Sequence, residues 1–392
     1  MGLKLGFHYH IPALFKEGQI YTPGYQAVFI DSLAPYCEKI TCFLHSPRED
    51  EVKYCNSSIK ASNVDLVDIG IHASVPMRML CSRKYTSPLR KRRGDLDLLL
   101  LRGASPLLPA MALCVPEIPK ALLIVSSYLE GIDTLPQPWW RKELIRLWAN
   151  RNTREQLKIA KKSITFVNSA RLYADFQAVV PDLNQIRTTT ISNNDIHFRV
   201  DTPSDSPKHI LFSGRITAEK GIFDIVDALS QINRGKIDFI LDIVGMPENE
   251  AVMQEFWKYS EQKDIKGKIH YYGFKEVGDE LLSFYRRASV LLNASKSNFE
   301  GFPRTIWEAF SQGTPVIATS VGSIPFFLRN EQDALITTPN CPSELANAIT
   351  RIFSDEELRR RLIANGYKLA RETTVELQAQ KMISIIRERL YG

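Results

Sequence analysis

Short apolar runs recur along the chain with polar, helix-compatible stretches between them. In the first half they fall at 4–9, 39–44, 64–67, 96–101, 120–125, 164–167 and 186–191. In the second half they fall at 209–213, 239–244, 269–272 and 289–293, with a further strand after Gly313-Thr-Pro-Val. Runs of this length, apolar on both faces, read as buried strands of a parallel sheet. Between them, apolar residues at helical spacing predict helices from Gly24 through 33 and over 171–180, 219–232, 250–262 and 276–287. The end of the chain reads as helical over 342–354, 355–371 and 374–390. Strands alternating with helices argue for an α/β protein with doubly wound parallel sheets.

A chain of 392 residues exceeds a single core, so two such sheets are expected. The polar, turn-rich segment 201–208 is the best candidate linker, which divides the chain into 1–200 and 201–373. Hydrophobic content of 44% and charged content of 24% are those of a soluble globular protein. The six cysteines show no paired zinc spacing and read as free thiols of a reducing compartment. The start of the chain moves straight into a strand, without the pattern of a signal peptide. No apolar run reaches the roughly 18 residues a membrane span needs. A cytoplasmic protein is expected.

Charge changes the picture locally. Residues 83–93 carry Arg83, Lys84, Arg90, Lys91, Arg92 and Arg93 with no acid. Residues 139–162 carry eight Lys and Arg against Glu143 and Glu155, interleaved with Trp139, Trp140 and Trp148. The whole chain is only +6, so the remainder is net acidic. Both stretches, 83–93 and the Trp-bearing helix 139–162, suit an anionic membrane surface, such as the inner face of a membrane. The same helix could instead pack Leu144, Ile145, Leu147 and Trp148 inward and solvate its charges. Nucleic acid is not expected as a partner, since no recognised binding module accompanies the charge.

Two stretches carry candidate chemistry. The first is Glu300-Gly-Phe-Pro-Arg-Thr-Ile-Trp-Glu308, continued by Ala309-Phe-Ser-Gln-Gly-Thr-Pro-Val-Ile. Glu300 falls in a loop after a strand, and Glu308 lies about two helical turns on. Gly301 allows close approach of a ligand to the backbone, and Pro303 introduces a helix. The amides of Gly301, Phe302, Arg304 and Thr305 then face outward at a positive dipole end. The second stretch is Ser213-Gly214-Arg215-Ile-Thr-Ala-Glu219-Lys220-Gly221, again after a strand and opening a helix. Arg215 and Lys220, five residues apart, supply a planar fork and a point charge for one diphosphate. Read alone, either stretch is also compatible with a solvated helix face.

The two stretches together resemble the retaining glycosyltransferases of the GT-B fold, the "group 1" or family 4 class. The resemblance covers 209–337 in detail and the first half only in outline. It implies two Rossmann-like domains facing a cleft, the first for the acceptor and the second for a nucleotide sugar. It also implies that the last helix, 374–390, crosses back onto the first domain. By the same resemblance Gly214, Arg215 and Lys220 hold the donor diphosphate, Glu308 the ribose and Glu300 the sugar. The amides from Gly301 to Arg304 assist, and Gly273 and Phe274 meet the base. Such a hexosyltransferase needs no obligatory cofactor, and the departing phosphate itself takes the acceptor proton. No metal is expected, since Asp95-Leu-Asp97 leads into a buried strand and reads as a strand cap. A glycan or lipid-linked acceptor in polysaccharide or lipopolysaccharide assembly is the setting the family suggests.

The first half departs from the family pattern. In place of a Gly-rich loop after the first strand it offers Gly24 as the point of close phosphate approach. Where the family often presents a His at a strand end, this chain has Arg102, with His8, His10, His45 and His72 as alternatives. Two other readings stay open: a nucleotide-sugar 2-epimerase on the same fold, and a non-catalytic nucleotide-sugar-binding partner of another transferase.

Overall fold

The computed structural model describes residues 2–129, 131–133, 135, 137–234, 237–297 and 301–392. They form two compact units, Met1–Thr188 with Val375–Gly392, and Thr189–Thr374.

The first unit is built on a seven-stranded sheet. Its spatial order is Leu183–Gln185, Ile164–Val167, Lys120–Ile124, Leu98–Gly103, Leu3–His8, Cys37–Ser46 and Val64–Ile71. Every neighbouring pair is parallel. Leu98 through Leu101 are fully buried, as a strand covered on both faces must be. The C-terminal helix Val375–Tyr391 packs on this unit through Ala379, Met382, Ile383 and Ile386, one apolar stripe at helical spacing. Lys381 donates to the Gln185 carbonyl at 2.8 Å, and Gln378 accepts from the Arg187 amide at 2.7 Å.

The second unit carries a six-stranded sheet, also parallel throughout. The order is Ile269–Tyr271, Phe239–Val244, Lys208–Ser213, Val290–Asn293, Val316–Thr319 and Leu335–Thr337. Helices Ile222–Arg234 and Pro342–Ser354 share one core with this sheet, and helices Asp279–Arg287 and Arg304–Ser311 share another.

Three sequence expectations are corrected. The seventh strand of the first unit is Leu183–Gln185, not 186–191, because only the Ile186 amide still reaches the sheet, at the Val167 carbonyl. Residues 189–200 pack with the second unit rather than the first. Arg199 accounts for this: its guanidinium donates to the carbonyls of Gly313, Arg286 and Ala288 and to Thr314. The supposed linker 201–208 lies inside the second unit, where Asp201 takes both arms of the Arg359 guanidinium. A small antiparallel sheet of Leu14–Lys16, Gln19–Thr22 and Ser57–Ser58 was not foreseen.

The basic helix, Trp139–Ala160, buries Ala149, Asn152, Gln156 and Ala160. Leu147 sits two residues before Ala149, about 200° around the helix, and so faces away from the buried stripe. Leu147 is 66% and Leu144 58% exposed, which overturns their inward packing. Trp148 instead lies against the Tyr128 ring, with centroids 4.8 Å apart. Among the described residues no helix is long and apolar enough to cross a membrane.

Candidate functional site

In the second sheet the chain turns one way after Lys208–Ser213 and the other way after Val290–Asn293, and these two strands are neighbours. Such a reversal opens a crevice at the carboxyl ends of the strands. Three adjacent strands end there on glycine: Gly214, Gly245 and Gly273. The Gly214 amide donates to Val244 and the Gly245 amide to Gly273. Gly245 is irreplaceable in this geometry. Its φ is +147°, and a Cβ there would sit 1.8 Å from the Gly214 carbonyl oxygen. At Gly214 and Gly273 a Cβ would meet nothing within 4 Å, so the backbone is open to a ligand.

Arg215 follows, exposed, and the Ile216 amide pins the turn to the Met246 carbonyl at 2.9 Å. Thr217 then caps the short turn Ala218–Lys220 by accepting from the Lys220 amide at 3.2 Å. Gly221, at φ +72°, brings helix Ile222–Arg234 against the end of strand Val290–Asn293. A Cβ at Gly221 would fall 1.9 Å from the Ala294 carbonyl oxygen. The contact is completed by the Lys296 amide on the Glu219 carbonyl and by an ion pair of Lys296 with Asp224 at 2.7 Å.

Helix Arg304–Ser311 starts behind Pro303. Phe302 stacks on Trp307 at 4.1 Å and meets Phe327 edge-on, which seats the helix start on the core. Gly301 is exposed with open space around it, Arg304 is exposed and Thr305 half-buried. Glu308 is only 6% exposed. One carboxylate oxygen accepts from Thr190 at 3.1 Å and the other from the Tyr285 hydroxyl at 2.5 Å. Burial, followed by the Glu308 charge, drives the Tyr285 pKa well above its ordinary value, so the phenol stays a donor. The Ser213 hydroxyl and the Arg304 charge act on the same phenol in the opposite direction. Glu308 and Tyr285 are thereby tied to the strand end that carries Gly214. A carboxylate offers about four acceptor positions, so two remain for a ligand's hydroxyls. Tyr285 and Thr190 were missed in the sequence, because nothing local to either marks it as a partner of Glu308. Phe274 is 56% exposed directly after Gly273. Glu300 lies outside the described residues.

In the first unit Arg102 lies in strand Leu98–Gly103 and is 7% exposed, with its guanidinium over the rings of Tyr9 at 4.8 Å and Phe29 at 5.0 Å. Gly24 opens helix Gly24–Leu33 behind Pro23. Asp97 accepts from the Lys4 amide at 2.8 Å, the strand-capping role read from the sequence. His8 is fully buried, with Nδ1 on the Phe43 carbonyl at 2.8 Å and the Ser105 hydroxyl 3.4 Å from Nε2. Burial lowers its pKa to about 4, and lowers those of His10 and His45 to about 3. All three stay neutral imidazoles at neutral pH. Among the described residues no group of three or more His, Cys, Asp or Glu is disposed to hold a metal ion.

The fold is that of the GT-B glycosyltransferases. The Anabaena protein HepE, solved in complex with UDP, superposes with a TM-score of 0.72 at 16% identity over 98% of this chain and 100% of that one. Sucrose-phosphate synthase from Thermosynechococcus elongatus superposes at 0.74 with 18% identity, over 99% of both chains. Residues 193–369 match the family model for glycosyl transferases group 1. An uncharacterized glycosyltransferase of Methanocaldococcus jannaschii is 29% identical over 164 residues, 42% of this chain and 40% of that protein. The lipopolysaccharide core biosynthesis glycosyltransferase LpsE of Rhizobium meliloti is 25% identical over 170 residues, 43% of this chain and 46% of that protein. The chain thus spans less than half the length of these curated relatives.

Proposed function

We propose that this chain moves a sugar from a nucleotide diphosphate sugar to an acceptor hydroxyl with retention of anomeric configuration. The observation that carries the reading is the edge where Gly214 and Gly273 leave backbone open beside the buried Glu308. Arg215 and Lys220 hold the diphosphate from the turn after Gly214. Breaking a sugar–phosphate bond leaves negative charge on the departing diphosphate. Cations fixed in advance stabilise that charge more than the ground state. Glu308, already oriented by Tyr285 and Thr190, takes the ribose hydroxyls. For the base, Gly273 offers open backbone and Phe274 an exposed ring. The amides after Gly301 serve the donor sugar, and Glu300 contacts its hydroxyls, an assignment resting on the resemblance of the motif. The leaving phosphate accepts the acceptor proton, and no metal is required. Matches to LpsE and to other transferases favour a glycan or lipid-linked acceptor.

The exposed Trp139, Trp140, Leu144 and Leu147 beside Lys and Arg side chains favour an anionic membrane surface as the place where that acceptor is met. The transferase reading is tested by turnover of donor with Arg215→Ala and Glu300→Ala. Both are expected to lose transfer, and unchanged rates in both would sink the assignment.

A further inference from the structure

The carboxyl edge of the first sheet holds a polar cluster that the donor site does not use. Arg78, on the short helix Val75–Leu80, is 5% exposed, and its Nε and Nη1 are buried without a hydrogen-bond partner. Among the described residues no carboxylate lies within ion-pairing distance of it. The carboxylate whose charge acts on Arg78 is that of Glu51, which already takes Arg48 at 3.0 Å and His72 Nδ1 at 2.7 Å. A buried charge without a counter-charge is strongly destabilising, so this guanidinium is built for an anion.

Its neighbours fix what else that anion carries. His45 Nδ1 lies 3.0 Å from the Gly70 carbonyl and His72 Nδ1 on Glu51, and both partners can only accept. Each Nδ1 therefore bears the proton, and each Nε2 presents a lone pair. Both Nε2 atoms are buried and unpartnered, and the two rings stand 5.3 Å apart. Arg78 is the charge that acts on both rings. The cluster thus offers charged donors for an oxyanion next to neutral acceptors for hydroxyl groups.

We propose that Arg78, His45 and His72 seat an anionic acceptor, a sugar or polyol bearing a phosphate or carboxylate beside its free hydroxyls. This rests on the transferase reading above. Hydroxyls donate to the two Nε2 atoms while the oxyanion takes the guanidinium. A neutral sugar leaves the buried guanidinium without a counter-charge and binds weakly.

The test uses the full chain with glucose 6-phosphate, glucuronate and glucose as probes, followed by thermal shift and by hydrogen exchange. Glucose 6-phosphate or glucuronate should bind, with protection appearing over residues 70–80, and glucose should bind at least roughly tenfold more weakly. Arg78→Gln should remove the preference for the charged probe, and Arg78→Lys should retain part of it should the Gln variant fold poorly. Equal binding of glucose, or binding unchanged in Arg78→Gln, would overturn the proposal. Protection confined to residues 214–221 would also overturn it, by placing the anion at the donor turn. Nucleoside diphosphate binding is read separately on the same protein. Failure there counts against the transferase, and failure here against the anionic seat.

Discussion

Acid should loosen the first unit before the second, through histidines held neutral inside it. His8 is fully buried and its pKa falls from the ordinary 6.5 to about 4, chiefly by burial. A depressed folded pKa means that the unfolded chain binds the proton first. Stability is therefore complete above about 6.5 and is lost as pH falls toward 4. Between pH 7 and pH 5, one histidine with these two values costs roughly 2 kcal/mol of folding free energy. His45 and His10 act in the same direction, although protons on neighbouring rings repel and their losses do not simply add. Against a total of about 5–15 kcal/mol, this loss is large. Urea unfolding at pH 7 and pH 5 would be followed by hydrogen exchange of peptides covering strand Leu3–His8, which report on the first unit alone. The His8→Gln variant should lose roughly 2 kcal/mol less than wild type between the two pH values. Comparing the pH difference rather than the absolute stability cancels any general damage from the substitution. An identical pH difference in the variant would refute the reasoning.

Removing the Tyr285 hydroxyl strips a buried carboxylate of one donor. Tyr285→Phe should cost about 1.5–3 kcal/mol in the second unit and weaken nucleotide binding, and a thermal midpoint and affinity equal to wild type would contradict this. Gly245→Ala adds a Cβ onto the Gly214 carbonyl at a left-handed φ, so at least about 2 kcal/mol of destabilisation is expected. Denaturation midpoints measure it directly. The pair Trp139→Ser and Trp140→Ser should reduce co-sedimentation with vesicles rich in anionic lipid. Undiminished binding would remove that helix as the membrane contact.

Much of the architecture was legible because parallel strands buried on both faces are nearly all apolar, as at Leu98–Leu101 in the first sheet and at Ile210, Leu211 and Phe212 in the second. The turn after Gly214 was legible for another reason: Gly214, Arg215, Lys220 and Gly221 are close in sequence as well as in space. What could not be read was convergence from afar. Glu308 meets Tyr285 from 23 residues away and Thr190 from 118. The Arg78 cluster gathers its imidazoles from different strand ends, which no local pattern announces. The antiparallel sheet escaped because strands such as Ser57–Ser58 are too short to show alternation. The helix Trp139–Ala160 stayed open between two readings because its buried stripe is made of Ala, Asn and Gln, while its leucines face out.

The turn after Gly214 is proposed as the seat for the diphosphate of a nucleotide sugar. Titration of UDP, GDP and ADP without metal, each against wild type, Lys220→Ala and Arg215→Ala, tests it most directly. One diphosphate should bind the wild-type chain, raising its stability by about 2.7 kcal/mol at a hundredfold excess over Kd, and both variants should bind it more weakly. Binding of none of the three, or binding untouched by either substitution, would contradict it.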